Sequence, residues 1–197
     1  GIILNRVYQE QCDPALYEAC LLKLHFFLQP GWKACNLAIA QYQQGDYGRA
    51  QDTLASVPVQ KLRKNLIPGY YQCLCALCFK QGRGGEVAAL EEACRLALGP
   101  KPRWQQQFAL VCANNNLFRA VENRDYEKAF LFLQATRRTG TGTVSWKMAQ
   151  VTYSMWMARI CLGLGEKRSA GMYLAYVKQQ GGTMAAAEEA RQLLQEC

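Results

Sequence analysis

The sequence predicts an all-α protein built as an array of stacked antiparallel helix pairs, and three observations predict it. Turn residues recur at a spacing suited to a two-helix unit: Gly45, Gly82, Arg124 and Gly165 lie 37, 42 and 41 residues apart, close to the period of roughly 34 residues and upward that marks helical-hairpin repeats. Most segments are rich in Ala, Leu, Gln, Glu, Lys and Arg, which form helix readily because they lose little freedom there. No stretch sustains the alternation of a half-buried strand.

Taken in order, the helices are expected over 2–11, 14–28, 31–44, 47–57, 67–81, 85–98, 103–123, 126–138, 144–163, 166–180 and 183–196. A degenerate earlier copy has its turn at Cys12-Asp13-Pro14, 33 residues before Gly45, and helix breakers support several boundaries: Pro30-Gly31, Pro58, Pro68-Gly69, Gly99-Pro100, Gly140-Thr141-Gly142 and Gly181-Gly182. The helices pair as hairpins over about 2–28, 31–57, 67–98, 103–138 and 144–180, and the whole of 1–197 reads as one domain. The last helix carries Leu193 and Leu194 on one face and Glu188, Glu189 and Arg191 elsewhere. Such a polar-faced end suits a helix that caps a repeat stack.

Each unit has the same physical logic. In Gln44-Gly45-Asp46-Tyr47, Gly45 can take the left-handed conformation that ends a helix, and Asp46 can cap the next helix through a backbone N–H. Small residues such as Ala38, Ala50, Cys75, Ala158 and Ala170 let two helices approach closely. Leu37, Leu54, Leu74, Leu133 and Leu174 then fill the space between hairpins. A single hairpin cannot bury its apolar face, so neighbours stack into a continuous core.

These residues resemble the tetratricopeptide repeat family over roughly residues 2–197. The strongest match is Leu37-Ala38, Gly45-Asp46-Tyr47, Ala50, Leu54 and Pro58. A second runs through Leu117, Asp125-Tyr126, Ala129 and Leu133, and a third through Ala158, Gly165 and Ala170. The copy around Tyr71, Leu74, Cys75 and Gly82 departs, with Val87 for the usual alanine and Glu91 at a normally apolar position. Long spacers at 99–105 and 139–145 also depart, and longer-unit helical-repeat families share this kind of spacing. The resemblance implies a right-handed α-solenoid of antiparallel helix pairs with a C-terminal capping helix. It also implies a concave groove, lined by the first helix of each pair, that holds a protein or peptide. By the family pattern the groove positions are Tyr42, Gln43, Gln72, Phe79, Lys80, Asn114, Phe118, Met155 and Arg159. Asn36 and Asn115 sit where some members place an asparagine that reads a C-terminal carboxylate, but the rest of that clamp is missing and the specificity is not assigned.

Composition bounds the function. The chain has 197 residues, half of them hydrophobic, a net charge of +8 and few charge blocks, which allows a substantial core and excludes a disordered chain. A basic balance leaves nucleic acid, an anionic membrane surface and acidic partners open. The densest basic groups are Lys61-Leu62-Arg63-Lys64, Lys101-Pro102-Arg103 and Arg137-Arg138. All fall near expected helix ends and read as solvated or dipole-complementing charge. The ten cysteines lie mostly inside helical patterns, where a thiol behaves as a small hydrophobe, so a reducing, cytosol-facing setting is expected rather than a disulfide framework. No apolar run is long enough to span a membrane. The start, Gly1-Ile2-Ile3-Leu4, reads as the cut end of a longer chain, with an anchor upstream as one expectation.

Candidate chemistry is sparse. Cys73, Cys75 and Cys78 form the tightest cluster, but on a helix Cys75 and Cys78 share a face while Cys73 points away, and zinc needs about four convergent ligands. The single histidine, His25, sits in an apolar setting. No P-loop, GxGxxG or HExxH motif occurs, and Gly82-Arg83-Gly84-Gly85 reads as a turn. Glu91-Glu92 and Glu188-Glu189 read as solvated helix faces. The run Asn114-Asn115-Asn116 is unusual inside a helix and is expected to bond either a ligand in the groove or a neighbouring hairpin. The expected function is a protein- or peptide-binding scaffold without catalysis, cofactor or metal. A basic helical-repeat nucleic-acid-binding or regulatory module is the alternative.

Overall fold

The computed structural model describes residues 2–24, 30–139, 146–195 and 197, and among them the chain forms eleven α-helices and no strand. They are α1 (Ile2–Gln11), α2 (Pro14–Lys23), α3 (Pro30–Gln44), α4 (Tyr47–Ala55), α5 (Ile67–Lys80), α6 (Val87–Leu98), α7 (Pro102–Glu122), α8 (Tyr126–Thr139), α9 (Lys147–Gly163), α10 (Lys167–Gln180) and α11 (Ala185–Leu193). Consecutive helices pack as hairpins, and α3, α5 and α7 pack successively side by side. No described helix is long and apolar enough to cross a membrane.

Local chemistry explains the helix ends. Carboxylates of Asp13, Asp46 and Asp125 accept the backbone N–H groups of Leu16, Arg49 and Lys128, at 2.9, 3.1 and 3.3 Å, which satisfies donors a helix start leaves orphaned. Four turns close identically. Asp46 N donates to Gln41 O at 2.9 Å, and Arg83 N to Cys78 O, Asp125 N to Ala120 O and Glu166 N to Cys161 O, each at 2.8 Å. This six-to-one bond requires a left-handed residue just before the donor. Gly45, Gly82, Arg124 and Gly165 occupy that place, with φ of 84°, 70°, 57° and 79°. Cys12, in the first turn, also has a positive φ, of 54°.

The turns put equivalent side chains in equivalent surroundings. Five residues after each, Ala50, Val87, Ala129 and Ala170 are fully buried. Seven residues before, Ala38, Cys75 and Ala158 are fully buried and Leu117 nearly so. Nine residues after, Leu54, Leu133 and Leu174 fill the core while Glu91 does not.

Several expected boundaries move. Leu24 is extended, so the helix expected over 14–28 ends at Lys23. Trp146 is extended, so α9 starts at Lys147 rather than 144. A short 3-10 turn at Gly84–Glu86 precedes α6. The last helix is shorter than 183–196, because Gly182 has a φ of 54° and Met184 is extended. His25 and the Gly140-Thr141-Gly142 breaker lie outside the described residues.

The two ends of the array meet. Helix α1 packs on α9, and Cys12 is buried among Val151, Met155, Ala158, Leu174, Val177 and Met184. Thr183 N donates to Cys12 O at 3.1 Å, and its hydroxyl donates to Asp13 Oδ1 at 2.8 Å. Gly182 makes the approach feasible, since a Cβ there would lie 2.4 Å from the Cys12 carbonyl oxygen.

Candidate partner-binding cleft

The repeat register carries side chains from four helices to one place. Gln72, Asn114 and Met155 stand ten residues before their turns, and Ala76, Phe118 and Arg159 six before. Tyr42 and Phe79 stand three before, Gln43 and Lys80 two before. Spacings of three and four residues keep a helix's members on one face. Tyr42, Gln43, Gln72, Lys80, Asn114, Phe118, Met155 and Arg159 line a single cleft of about 290 Å³ between α3, α5, α7 and α9. Phe79 is the exception among the positions expected from sequence: it is buried behind the cleft, its ring stacked on Phe118 with centroids 4.9 Å apart and planes 8° apart.

Sequence reasoning missed half of the lining, including its aromatic and charged members Tyr47 of α4, Trp156 of α9 and Glu189 of α11. Trp156 stands edge-on to Phe118 at 4.6 Å, and Tyr42 and Tyr47 pair at 5.4 Å. Trp156 was findable, because it lies one turn before Arg159 on the same face. Glu189 was not, because nothing local to α11 distinguishes the carboxylate that turns inward from its solvated neighbour.

Glu189 lines the cleft beside Lys80 and Arg159. Its carboxylate accepts from Arg159 Nε at 2.9 Å and lies 3.5 Å from Lys80 Nζ. The Arg159 guanidinium also lies 5.1 Å from the Trp156 ring centroid, within range of a cation–π attraction. Burial alone would raise the Glu189 carboxyl, but Arg159 and Lys80 outweigh it and hold it below the usual carboxylate range. Burial, together with repulsion from Arg159, pushes the Lys80 ammonium below its usual value, against the pull of Glu189. Two half-buried cations thus share one carboxylate. The expectation that Glu188-Glu189 is a solvated face holds for Glu188, which pairs with the exposed Arg191, and fails for Glu189.

The asparagine run divides its labour. Asn114 faces the cleft and donates to Gln72 Oε1 at 3.2 Å. Asn115 is fully buried, accepting from Gln72 Nε2 at 3.1 Å and donating to Glu91 Oε1 at 2.9 Å. Arg119 donates to Glu91 Oε2 at 2.7 Å and to Asn116 Oδ1 at 3.0 Å. Glu91 is therefore a paired group inside the α6–α7 contact rather than a solvated one. Its neighbour Glu92 pairs with exposed Arg95. Asn36 is likewise engaged internally, with Tyr17 and the Trp32 carbonyl.

Cys73, Cys75 and Cys78 are all buried, and they pack in two different clusters as the helical geometry requires. Burial pushes the Cys73 and Cys75 thiols up to about 12, away from thiolate reactivity. Among the described residues no three His, Cys, Asp or Glu side chains group as metal ligands. The cleft presents aromatic area, the amides of Gln43, Gln72 and Asn114, and two cations paired with one carboxylate. No family model, curated protein or solved structure matches the chain.

Proposed function

We propose that the chain is a degenerate tetratricopeptide-like array, a right-handed α-solenoid capped by α11, that holds a protein or peptide partner in the cleft between α3, α5, α7 and α9. The observation that carries this reading is the convergence of eight separately expected groove positions on one cleft. Four identical helix endings and four equivalent buried crossings support the repeat assignment. Aromatic faces supply contact area at little entropic cost, amides bond a peptide backbone, and two cations on one carboxylate leave a net positive charge for a partner.

Affinity capture with the tagged full chain tests the proposal. A partner recovered by the wild type is expected to fall at least about tenfold with Asn114→Ala plus Phe118→Ala, because central aromatic contacts dominate such interfaces. Gln43→Ala plus Lys80→Ser spares the packed aromatics and is expected to act the same way. Recovery that ignores both pairs, with circular dichroism unchanged, overturns the assigned cleft.

A further inference from the structure

Two basic segments that read from sequence as separate solvated helix ends meet in space, away from the cleft. Arg63, Lys64 and Asn65 from the loop before α5, and Lys101, Arg103 and Trp104 from the start of α7, line an open surface depression of about 470 Å³. The lining carries four cations and no carboxylate. None of the four pairs with a described carboxylate. The chain has no Asp or Glu between Asp52 and Glu86, and none between Glu92 and Glu122. Helices α5 and α7 both begin here, each without an acidic residue in its first turn or a side-chain cap. Their positive ends face the same patch, where the negative C-terminal end of α6 is met by Lys64.

Two of the cations are held in place. Lys64 Nζ donates to the Leu98 carbonyl at the end of α6, at 2.9 Å. The Arg103 guanidinium lies 4.1 Å from the Trp104 ring centroid. Beside them lies an apolar cavity of about 560 Å³, walled by Trp32, Ala34, Val57, Pro58, Leu62 and Leu66, and Arg63 lines both cavities. A mainly apolar pocket, with Lys61 also in its wall, thus lies beside an open cationic surface.

We propose that the adjoining cavities bind an anionic amphiphile, an alkyl chain ending in a phosphate. The chain lies against Leu62 and Leu66, and the phosphate meets Arg63, Lys101 and Arg103. Arginine forks match phosphate oxygens well, and a predominantly apolar pocket with few polar groups is the usual form of a small-ligand site. Single-stranded nucleic acid fits less well: base recognition there needs an open aromatic face, and Trp104 is 8% exposed with Arg103 over its ring.

The test is calorimetric titration of the full chain with hexyl, octyl and decyl phosphate, each below its micelle concentration. One-to-one binding is expected, tightening up to about fourfold for each methylene that is buried. Arg63→Ser plus Arg103→Ser, both at exposed positions, is expected to weaken it by at least about tenfold with an unchanged melting temperature, since hydrogen bonds to charged groups are the strong ones. Co-sedimentation with phosphatidylglycerol but not phosphatidylcholine vesicles, lost in the same variant, identifies a lipid headgroup as the source. Binding of the free alkyl phosphates without vesicle binding identifies a soluble amphiphile. Both uphold the site. No binding, affinity independent of chain length, equal affinity for decyltrimethylammonium, or tighter binding of a single-stranded oligonucleotide overturns it.

Discussion

The α3–α4 and α5–α6 hairpins close their first helix in the same way and have opposite crossings. Both turn through a left-handed glycine followed by the same six-to-one bond. Nine residues later, however, the first presents Leu54, fully buried, and the second presents Glu91, tied to Asn115 and Arg119. The comparison teaches that the closing bond fixes where the first helix ends, while the crossing accepts either apolar packing or a completed polar network. A half-made network is the arrangement it excludes, because a buried polar group without a partner is costly.

The largest expected effect falls on the apolar crossing. Leu54→Ala should cost about 3 kcal/mol in urea unfolding, through lost transfer energy and a residual cavity. A loss below about 1 kcal/mol would mean that the crossing is not tightly packed. At the polar crossing, Glu91→Ala should cost about 2 kcal/mol by leaving Asn115 and Arg119 without their carboxylate. The triple change Glu91→Leu, Asn115→Leu, Arg119→Met should recover most of that loss, since an apolar replacement of a buried ionic group is often neutral or better. A triple variant as unstable as the single one would show that the polar crossing is irreplaceable.

Much of this was legible in the sequence, for a definite reason. The left-handed turn residues, the small residues at fixed offsets and the same-face positions of the cleft are properties of a helix and its ends, and they repeat along the chain. What was illegible depends on which distant elements meet. Glu91 and Glu189 each look like half of a solvated pair until α7 and α9 supply the cations that claim them. Arg63 and Lys101 look isolated until the stacking of α5 beside α7 joins them. Phe79 carries the register of a cleft residue, yet the ring of Phe118 covers it.

The smallest expected effect tests the turn itself. Arg124 alone among the four equivalent turn residues is not glycine, yet it holds a φ of 57°. Arg124→Gly should therefore stabilise the chain by up to about 1 kcal/mol, seen as a rise in melting temperature, by relieving a left-handed side chain. Unchanged or lower stability would mean that the arginine compensates locally.

The bond from Thr183 to Cys12 spans most of the chain. In an open stack each repeat answers only to its neighbours, and fraying from either terminus is inexpensive. Here the first and last hairpins are also neighbours, so neither is peripheral. Loosening one removes support from the other, and the molecule is constrained to melt as a unit, like a barrel whose hoop and staves are one piece.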